Sequence, residues 1–230
     1  MGMTSQAARE KILRRLKTVP AKSNIQAAPA LPNNTASKKK TAIRSSLKLA
    51  DQLLKNRFEV IDASEQTLGQ VLSQIAETQP YHWLLGNGNF YNEINMHLQQ
   101  LDDQTITTFD QPFEALKETI FDDVDIGVTR CAAIIKDTGT LVIQPSPEEP
   151  RTLSLIPPIH LIFAGSAPLF ESLSEYFAQL SADSLSTHSN LIFVSSPSKT
   201  ADIQQKLAYG AHGPKRVIIV FSSGLPDEID

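Results

Sequence analysis

Short apolar segments alternate with amphipathic segments between residues 57 and 221. The apolar segments have the length and composition of strands, and the others repeat their apolar residues at the spacing of helices. Several apolar segments, such as Leu191–Val194, contain no polar residue, which indicates strands that are covered on both faces. Strands and helices that alternate in this way predict an α/β fold with three layers, α/β/α, and a mainly parallel sheet.

The same alternation predicts where the elements lie. Strands are expected at residues 57–61, 81–85, 104–109, 159–164, 190–194 and 216–221, and helices at residues 43–54, 64–78, 90–100, 112–118, 168–180 and 199–208. Residues 124–144 are rich in β-forming residues. We assign the α/β domain to residues 41–230.

Residues 1–40 have a different character. After Thr4, which can cap a helix, apolar residues recur at every fourth position as far as Leu16 and predict a short amphipathic helix. Residues 18–40 are rich in Pro, Asn, Ser and Ala, which predicts a flexible linker. We therefore expect a helical arm and linker before the α/β domain.

The charge of the chain is polarised. Residues 1–60 carry 13 Lys and Arg against 3 Asp and Glu, whereas residues 61–230 carry 8 against 22, and the net charge is −4. The basic arm is either a solvated helix and tail or a docking arm for an acidic subunit. Nucleic-acid binding is disfavoured, because the arm lacks interleaved aromatic residues and a recognition motif.

The cysteine count restricts the chemistry of this chain. Cys131 is the single cysteine, so the chain by itself forms no disulfide and no cysteine-ligated zinc or iron–sulfur site. Its apolar neighbours predict a buried, unreactive thiol. The histidines show no spacing typical of metal ligands, and no apolar run approaches the roughly 20 residues that cross a membrane. We expect a cytoplasmic protein without a metal site.

The segment after the strand at 190–194 is the strongest local motif. A turn from a strand into a helix leaves backbone N–H groups unpaired and can bind an anion, and a lysine beside it adds positive charge. Plain capping of the helix explains the same residues equally simply. The ligand-binding residues that we predict here are Ser196, Ser198, Lys199 and Thr200.

A second candidate segment interrupts the β-rich region. Asp137 is a candidate general base, and Thr138, Gly139 and Thr140 supply a turn and two hydroxyls that can hold an anion. The alternative is an ordinary hairpin turn, which the spacing favours. Because ligands gather beyond the carboxyl ends of parallel strands, we expect these hydroxyls to share one cleft with Ser198, Lys199 and Thr200.

His212 lies in a loop between Gly210 and Pro214, both of which are typical of the end of a helix. It is a candidate catalytic residue, and the alternative is a turn histidine bonded to the backbone. A helix at 199–208 would separate it from Ser198 by roughly 15 Å or more, at 1.5 Å per residue. His212 would then face a different surface.

Four segments occur together in an order known from one protein family. They are residues 128–142 with Thr138-Gly139-Thr140, Leu155-Ile156-Pro157 with His160 just beyond, Pro197–Ile203, and Gly210–Pro214. With them the chain resembles, over roughly residues 41–230, the lactate utilization protein C family, whose body is the LUD domain. It departs from the usual family pattern at Asp137, where Glu is common, at Ser196, where Gly is common, and at Gln204, where an acid is common.

The resemblance implies a fold similar to the sugar-phosphate isomerase and CoA-transferase superfamily. It also implies a part in the oxidation of L-lactate to pyruvate, beside two partner subunits that carry iron–sulfur clusters. Our first hypothesis adds a small-anion pocket in this chain, with a nucleotide or phosphate as its ligand. Two alternatives remain. One is a stand-alone enzyme of the CoA-transferase or cyclo-ligase type that uses Asp137, Lys199 and His212 on a phosphorylated or acyl substrate. The other is a scaffold without a working site. The oligomeric state and any catalytic step in this chain stay open.

Overall fold

The computed structural model describes residues 49–165, 167–180, 190–201, 207–209 and 213–221. The chain divides into Met1–Lys38 and Lys39–Asp230, and all described residues belong to the second unit. The predicted arm and linker at residues 1–40 therefore lie outside the described residues and stay a prediction.

The order of the elements follows the predicted alternation. The strands are β1 (Glu59–Asp62), β2 (His82–Leu85), β3 (Thr105–Thr108), β4 (Ile126–Arg130), β5 (Ala133–Ile135), β6 (Thr140–Ile143), β7 (Ile159–Phe163), β8 (Leu169–Phe170), β9 (Ile192–Val194), β10 (Lys199–Ala201), β11 (Leu207–Tyr209) and β12 (Arg216–Phe221). The helices are α1 (residues 49–55), α2 (Leu68–Ala76), α3 (Asn89–Leu98), α4 (Phe113–Asp122), α5 (Thr152–Leu155) and α6 (Leu173–Gln179).

Six strands form one fully parallel sheet at the centre of the domain. Their order is β1-β12-β7-β4-β2-β3, and every neighbouring pair is parallel. All five residues of β7 are buried, as expected for a strand with both faces covered. The prediction of a mainly parallel sheet is confirmed.

Helices and a second sheet cover the two faces of the parallel sheet. On one face, α2 and α3 pack their apolar residues against Trp83, Val128 and Leu161. On the other face, α1 packs with β5 and β6 against Ile162 and Ile219, and α4 packs against Leu84. The predicted three-layer α/β/α arrangement is therefore confirmed, whereas the likeness to the sugar-phosphate isomerase and CoA-transferase superfamily stays a prediction.

A four-stranded sheet belongs to the second of these covering layers. Its order is β8-β5-β6-β9, and the predicted hairpin at Asp137–Gly139 joins the antiparallel strands β5 and β6. The strand predicted at 190–194 exists as β9, but it pairs antiparallel with β6 rather than joining the parallel sheet. Phe193 is 37% exposed, so the expectation that this strand is covered on both faces was wrong. Among the described strands it lies at the edge of its sheet, with β6 as its neighbour on one side.

The prediction of a helix at residues 199–208 was also wrong. The described residues of this segment form β10 and β11, an antiparallel pair in which Lys199 lies opposite Tyr209. The amide of Ser198 donates to Pro214 O at 2.8 Å, so it is not one of the unpaired amides that begin a helix. Pairing between strands has here overridden a weak helical pattern.

The remaining differences concern boundaries. The helix predicted at 168–180 is preceded by β8 and begins only after Ser172, whose Oγ accepts a hydrogen bond from Glu175 N at 3.2 Å. The helix predicted at 64–78 starts after Thr67, which forms a capping box with Gln70. The short helix α5 was not predicted, because four residues are too few for a periodic pattern.

Candidate functional site

The tip of the β5–β6 hairpin is fixed against α1 and the residue that follows it. Asn56 Nδ2 donates to the carbonyl oxygens of Thr138 and Gly139, at 2.7 and 3.4 Å. Gly139 has a φ of 60°, and a Cβ at this position would lie 2.8 Å from Gln52 Cγ. The turn therefore requires glycine both for its backbone conformation and for its close packing. Asp137 lies at this tip and is exposed.

Three hydroxyl groups form a hydrogen-bonded chain beside the hairpin. Thr138 Oγ1 lies 2.7 Å from Thr140 Oγ1, which lies 2.8 Å from Ser195 Oγ. Thr140 is buried, whereas Thr138 and Ser195 are exposed. A hydroxyl donates one hydrogen bond and accepts two, so such a chain keeps a proton to donate at one end and acceptor positions at both. We call Thr138, Thr140 and Ser195 the hydroxyl chain; it is suited to hold a polar oxygen of a ligand.

Residues 195–198 connect the hydroxyl chain to Gly213, which belongs to another of the segments that carry the family resemblance. Besides the bond from its amide to Pro214 O, Ser198 places its Cβ 3.4 Å from the position that a Cβ of Gly213 would take. Leu155 O lies 3.9 Å from that same position. Parts of the four segments that carry the family resemblance therefore meet in one region of the fold.

This arrangement brings some of the predicted site residues together and separates others. Ser195, which was not predicted, contacts Thr140, whereas Ser198 is directed to the segment that contains Gly213. The expected helix start after Ser198 was wrong, because residues 199–201 form β10, and the binding of an anion by these residues stays a prediction. Ser196 Oγ donates to Pro197 O at 3.0 Å, which uses its proton within the turn.

The structure describes only some of the other predicted site residues. Lys199 and Thr200 belong to β10, and His212 lies outside the described residues. The expected separation of His212 from Ser198 assumed a helix that starts at residue 199, where the structure has β10, and Gly213 lies next to Ser198. The pairing of β6 with β9 could have revealed Ser195, because it sets Val194 opposite Leu141 and so brings Ser195 beside Thr140.

A separate ionic cluster lies at the carboxyl end of β4. The Glu149 carboxylate is 4% exposed and accepts hydrogen bonds from Tyr91 Oη at 2.6 Å, from Arg130 N at 3.2 Å and from Arg130 Nε at 3.3 Å. Burial raises the pKa of Glu149, and burial together with the charge of Glu149 raises the pKa of Tyr91. No motif in the sequence predicts this cluster, since Tyr91 and Glu149 are 58 positions apart.

Cys131 is expected to be chemically unreactive in the folded protein. Its thiol donates to Ala133 O at 3.0 Å, and burial raises the pKa of the thiol from 9.0 to about 12. Because the thiolate is the nucleophile, we expect its reaction with a disulfide reagent at pH 8 to be about a thousandfold slower than in the unfolded chain. The check compares the release of thionitrobenzoate by native and guanidinium-unfolded protein. Complete release from the native protein within seconds would contradict this expectation.

His160 is a buried neutral histidine between strands β4 and β7. Its Nε2 lies 2.8 Å from Thr129 Oγ1, and its Nδ1 has no hydrogen-bond partner within the part of the chain that the structure describes. Burial lowers the pKa of His160 from 6.5 to about 3. A protonated imidazole is therefore excluded from this position over the physiological pH range.

The pKa of His160 predicts how stability depends on pH. The folded protein keeps His160 neutral, whereas the unfolded chain binds a proton below pH 6.5, so this stabilisation is complete above pH 6.5 and is lost as the pH falls towards 3. We expect wild type to lose about 2 kcal/mol more than His160→Gln between pH 7 and pH 5. Urea unfolding of both proteins at several pH values measures this. Parallel stability curves for the two proteins would rule it out.

The described residues contain no group of three or more His, Cys, Asp or Glu side chains that could hold a metal ion. No helix among them is long and apolar enough to cross a membrane.

The four segments that carry the family resemblance lie within a match to one protein family. The profile of the LUD domain matches residues 47–222, and the chain belongs to the LUD domain family. The crystal structure of a DUF162 family protein from Deinococcus radiodurans superposes with a TM-score of 0.56 and 16% identity, covering 78% of this chain and 97% of that one. At this identity the likeness shows the fold alone.

Several curated proteins are similar over part of the chain. An uncharacterized protein of Neisseria meningitidis is 39% identical over 53% of this chain and 51% of its own length. The lactate utilization protein C of an Exiguobacterium species is 35% identical over 42% of this chain and 43% of its own. That of Halalkalibacterium halodurans is 26% identical over 75% and 76%. The first two matches span about half the length of those relatives.

Proposed function

We propose that this chain is a component of a lactate-utilization system and contains no iron–sulfur cluster. In that system it would support the oxidation of L-lactate to pyruvate in the cytoplasm, beside partner subunits that carry the clusters. Membership of the LUD domain family and the similarity to proteins named lactate utilization protein C support this assignment. The single cysteine agrees with electron transfer on other subunits, because clusters are held mainly by cysteine thiolates.

Within this system, we assign to the chain the binding of a phosphate-bearing small molecule or a nucleotide at the hydroxyl chain. The observation that carries the proposal is the contact of Thr140 with both Thr138 and Ser195, beside residues 195–198 that contact Gly213. Hydroxyl groups and turn amides are common ligands of phosphate oxygens. Lys199 is close in sequence to these groups and supplies the cation in this proposal.

A genetic experiment tests the role in lactate metabolism. Deletion of the gene in its native host should abolish growth on L-lactate and leave growth on pyruvate unchanged. Wild type and the control variant Thr105→Val, an exposed position on β3, should restore growth, whereas Thr140→Val should not. Unimpaired growth of the deletion strain on L-lactate would refute the role, and full complementation by Thr140→Val would refute the assigned site.

A biochemical experiment tests the partners. The tagged chain, purified from cells that grow on L-lactate, should bring down proteins with the visible absorption of iron–sulfur clusters. The chain produced alone should lack that absorption. Recovery of the chain without any cluster-containing protein, at mild ionic strength, would count against the proposed assembly.

A further inference from the structure

The parallel sheet has a topological switch point between β2 and β4. After β2 the chain enters α3, which packs on one face of the sheet, and returns to β3. After β4 it enters β5, which packs on the opposite face. The two connections leave neighbouring strands in opposite directions, and a crevice opens between their carboxyl ends in folds of this kind. The hydroxyl chain lies elsewhere, on the second sheet.

Arg130, the last residue of β4, lies at this switch point, and contacts on one side fix the orientation of its side chain. Its Nε donates to the buried Glu149 carboxylate, and its Cζ lies 5.4 Å from the centre of the Phe90 ring. The side chain is nevertheless 42% exposed. Within the described ranges, its two Nη groups donate no hydrogen bond to another residue. A guanidinium held on one edge by a carboxylate presents its other edge to a ligand without a further loss of conformational freedom.

We propose that the free Nη edge of Arg130 is a binding site for the carboxylate group of a small monocarboxylic acid. The edge has two parallel N–H groups, whose spacing matches the two oxygens of a planar carboxylate. The turn that starts at Gly86 and the segment Ser146–Glu149 border the site. This turn and this segment are in contact with each other, since Asn87 N donates to Glu148 O at 2.7 Å.

Glu148 determines which anions this site takes. Its carboxylate is exposed and accepts a hydrogen bond from Ser146 Oγ at 2.9 Å. Hydrogen bonds from its own backbone and from Ser146, together with the charge of Arg130, lower the pKa of Glu148, so it is ionised at neutral pH. Glu148 and Glu149 together place two carboxyl groups beside a single guanidinium. The charge of Glu148 therefore weakens the binding of any anion at Arg130, and it weakens the binding of a dicarboxylate more than that of a monocarboxylate.

The proposal uses the Arg130 cluster and not the hydroxyl chain, so either site can fail without the other; its choice of L-lactate and pyruvate as ligands rests on the function proposed above. Saturation-transfer NMR of L-lactate, pyruvate, acetate and malonate with the full chain tests it. We expect the three monocarboxylates to bind and malonate to bind at least several-fold more weakly. Arg130→Gln should weaken monocarboxylate binding by roughly tenfold or more. The control Arg151→Gln, an exposed arginine next to the same segment, should bind as wild type does.

A second variant keeps the test decisive if Arg130→Gln does not fold. Glu148→Gln removes an exposed carboxylate and should strengthen monocarboxylate binding several-fold and reduce the discrimination against malonate. Three results overturn the proposal: no binding of any monocarboxylate to wild type, equal binding by a folded Arg130→Gln protein, or binding that Glu148→Gln leaves unchanged.

Discussion

Replacing Gly127 with alanine is expected to prevent the domain from folding. Gly127 lies in β4, where a Cβ would be 2.0 Å from Leu153 O and 2.8 Å from Pro157 Cγ. The first of these atoms belongs to the backbone of α5, so a change of rotamer does not relieve the overlap. Either α5 leaves the sheet or β4 is displaced, and we expect a loss of more than about 4 kcal/mol.

Soluble expression and urea unfolding measure this effect, with Gly69→Ala as the matched control. A Cβ at Gly69 would be 2.9 Å from His97 Nδ1, which belongs to a partly exposed side chain that can rotate away. Gly69 also lies in α2, where alanine is favoured over glycine by about 1 kcal/mol. The control should therefore stay within about 1 kcal/mol of wild type. A soluble Gly127→Ala protein with wild-type stability would disprove the packing of α5 on β4.

Removing the Glu149 side chain is the second change with a large expected effect. Glu149→Ala leaves the buried Tyr91 hydroxyl with the longer bond to Val128 O at 3.4 Å, it removes the acceptor of the Arg130 amide, and it leaves a cavity. Losing one partner of a buried, hydrogen-bonded ionic cluster costs about 3–5 kcal/mol. Because the cluster joins β4, α3 and the segment before α5, the whole domain should unfold at a lower urea concentration.

Two further variants separate this effect from a general effect of charge. Glu148→Ala removes the neighbouring, exposed carboxylate and should unfold almost as wild type does. Glu149→Gln keeps an acceptor oxygen in place and should be less destabilised than Glu149→Ala. If Glu148→Ala and Glu149→Ala have the same urea midpoint, the buried cluster contributes nothing specific.

The predictions from the sequence were best where a repeated pattern reflects burial. Apart from His82 and Arg216, the strands at 81–85 and 216–221 are apolar because helices or strands cover both of their faces. The four apolar residues of α2 repeat at helical spacing because they face the sheet. Both patterns arise from local contacts with a continuous core, so they can be read without knowing the fold.

The errors arose where pairing between distant segments decides the structure. Residues 190–194 are as apolar as a central strand, but no local feature of the sequence predicts that β9 pairs with β6. Residues 199–208 fit a short helix, but the described residues 199–201 and 207–209 pair with each other as strands, and Ser198 N donates to Pro214 O. Local propensity amounts to a few tenths of a kcal/mol per residue, which a few such contacts exceed.

The site was predicted in part for the same reason. Thr138 and Thr140 were found because a turn motif is local, and their contact with each other follows from the hairpin. Ser195 reaches Thr140 across 55 positions, and Glu149 reaches Tyr91 across 58. No spacing rule in a single sequence connects such residues.

Titration of ¹⁵N-labelled protein with inorganic phosphate tests most directly whether the hydroxyl chain is part of a ligand site. We predict saturable shifts, with one common affinity, for the amide signals of residues 138–140, of Ser195, Ser196 and Ser198, and of Gly213. Thr140→Val should abolish all of them together, while Thr105→Val should leave them as in wild type. Shifts confined to other parts of the chain, or no saturable shift at these three segments, would contradict the account.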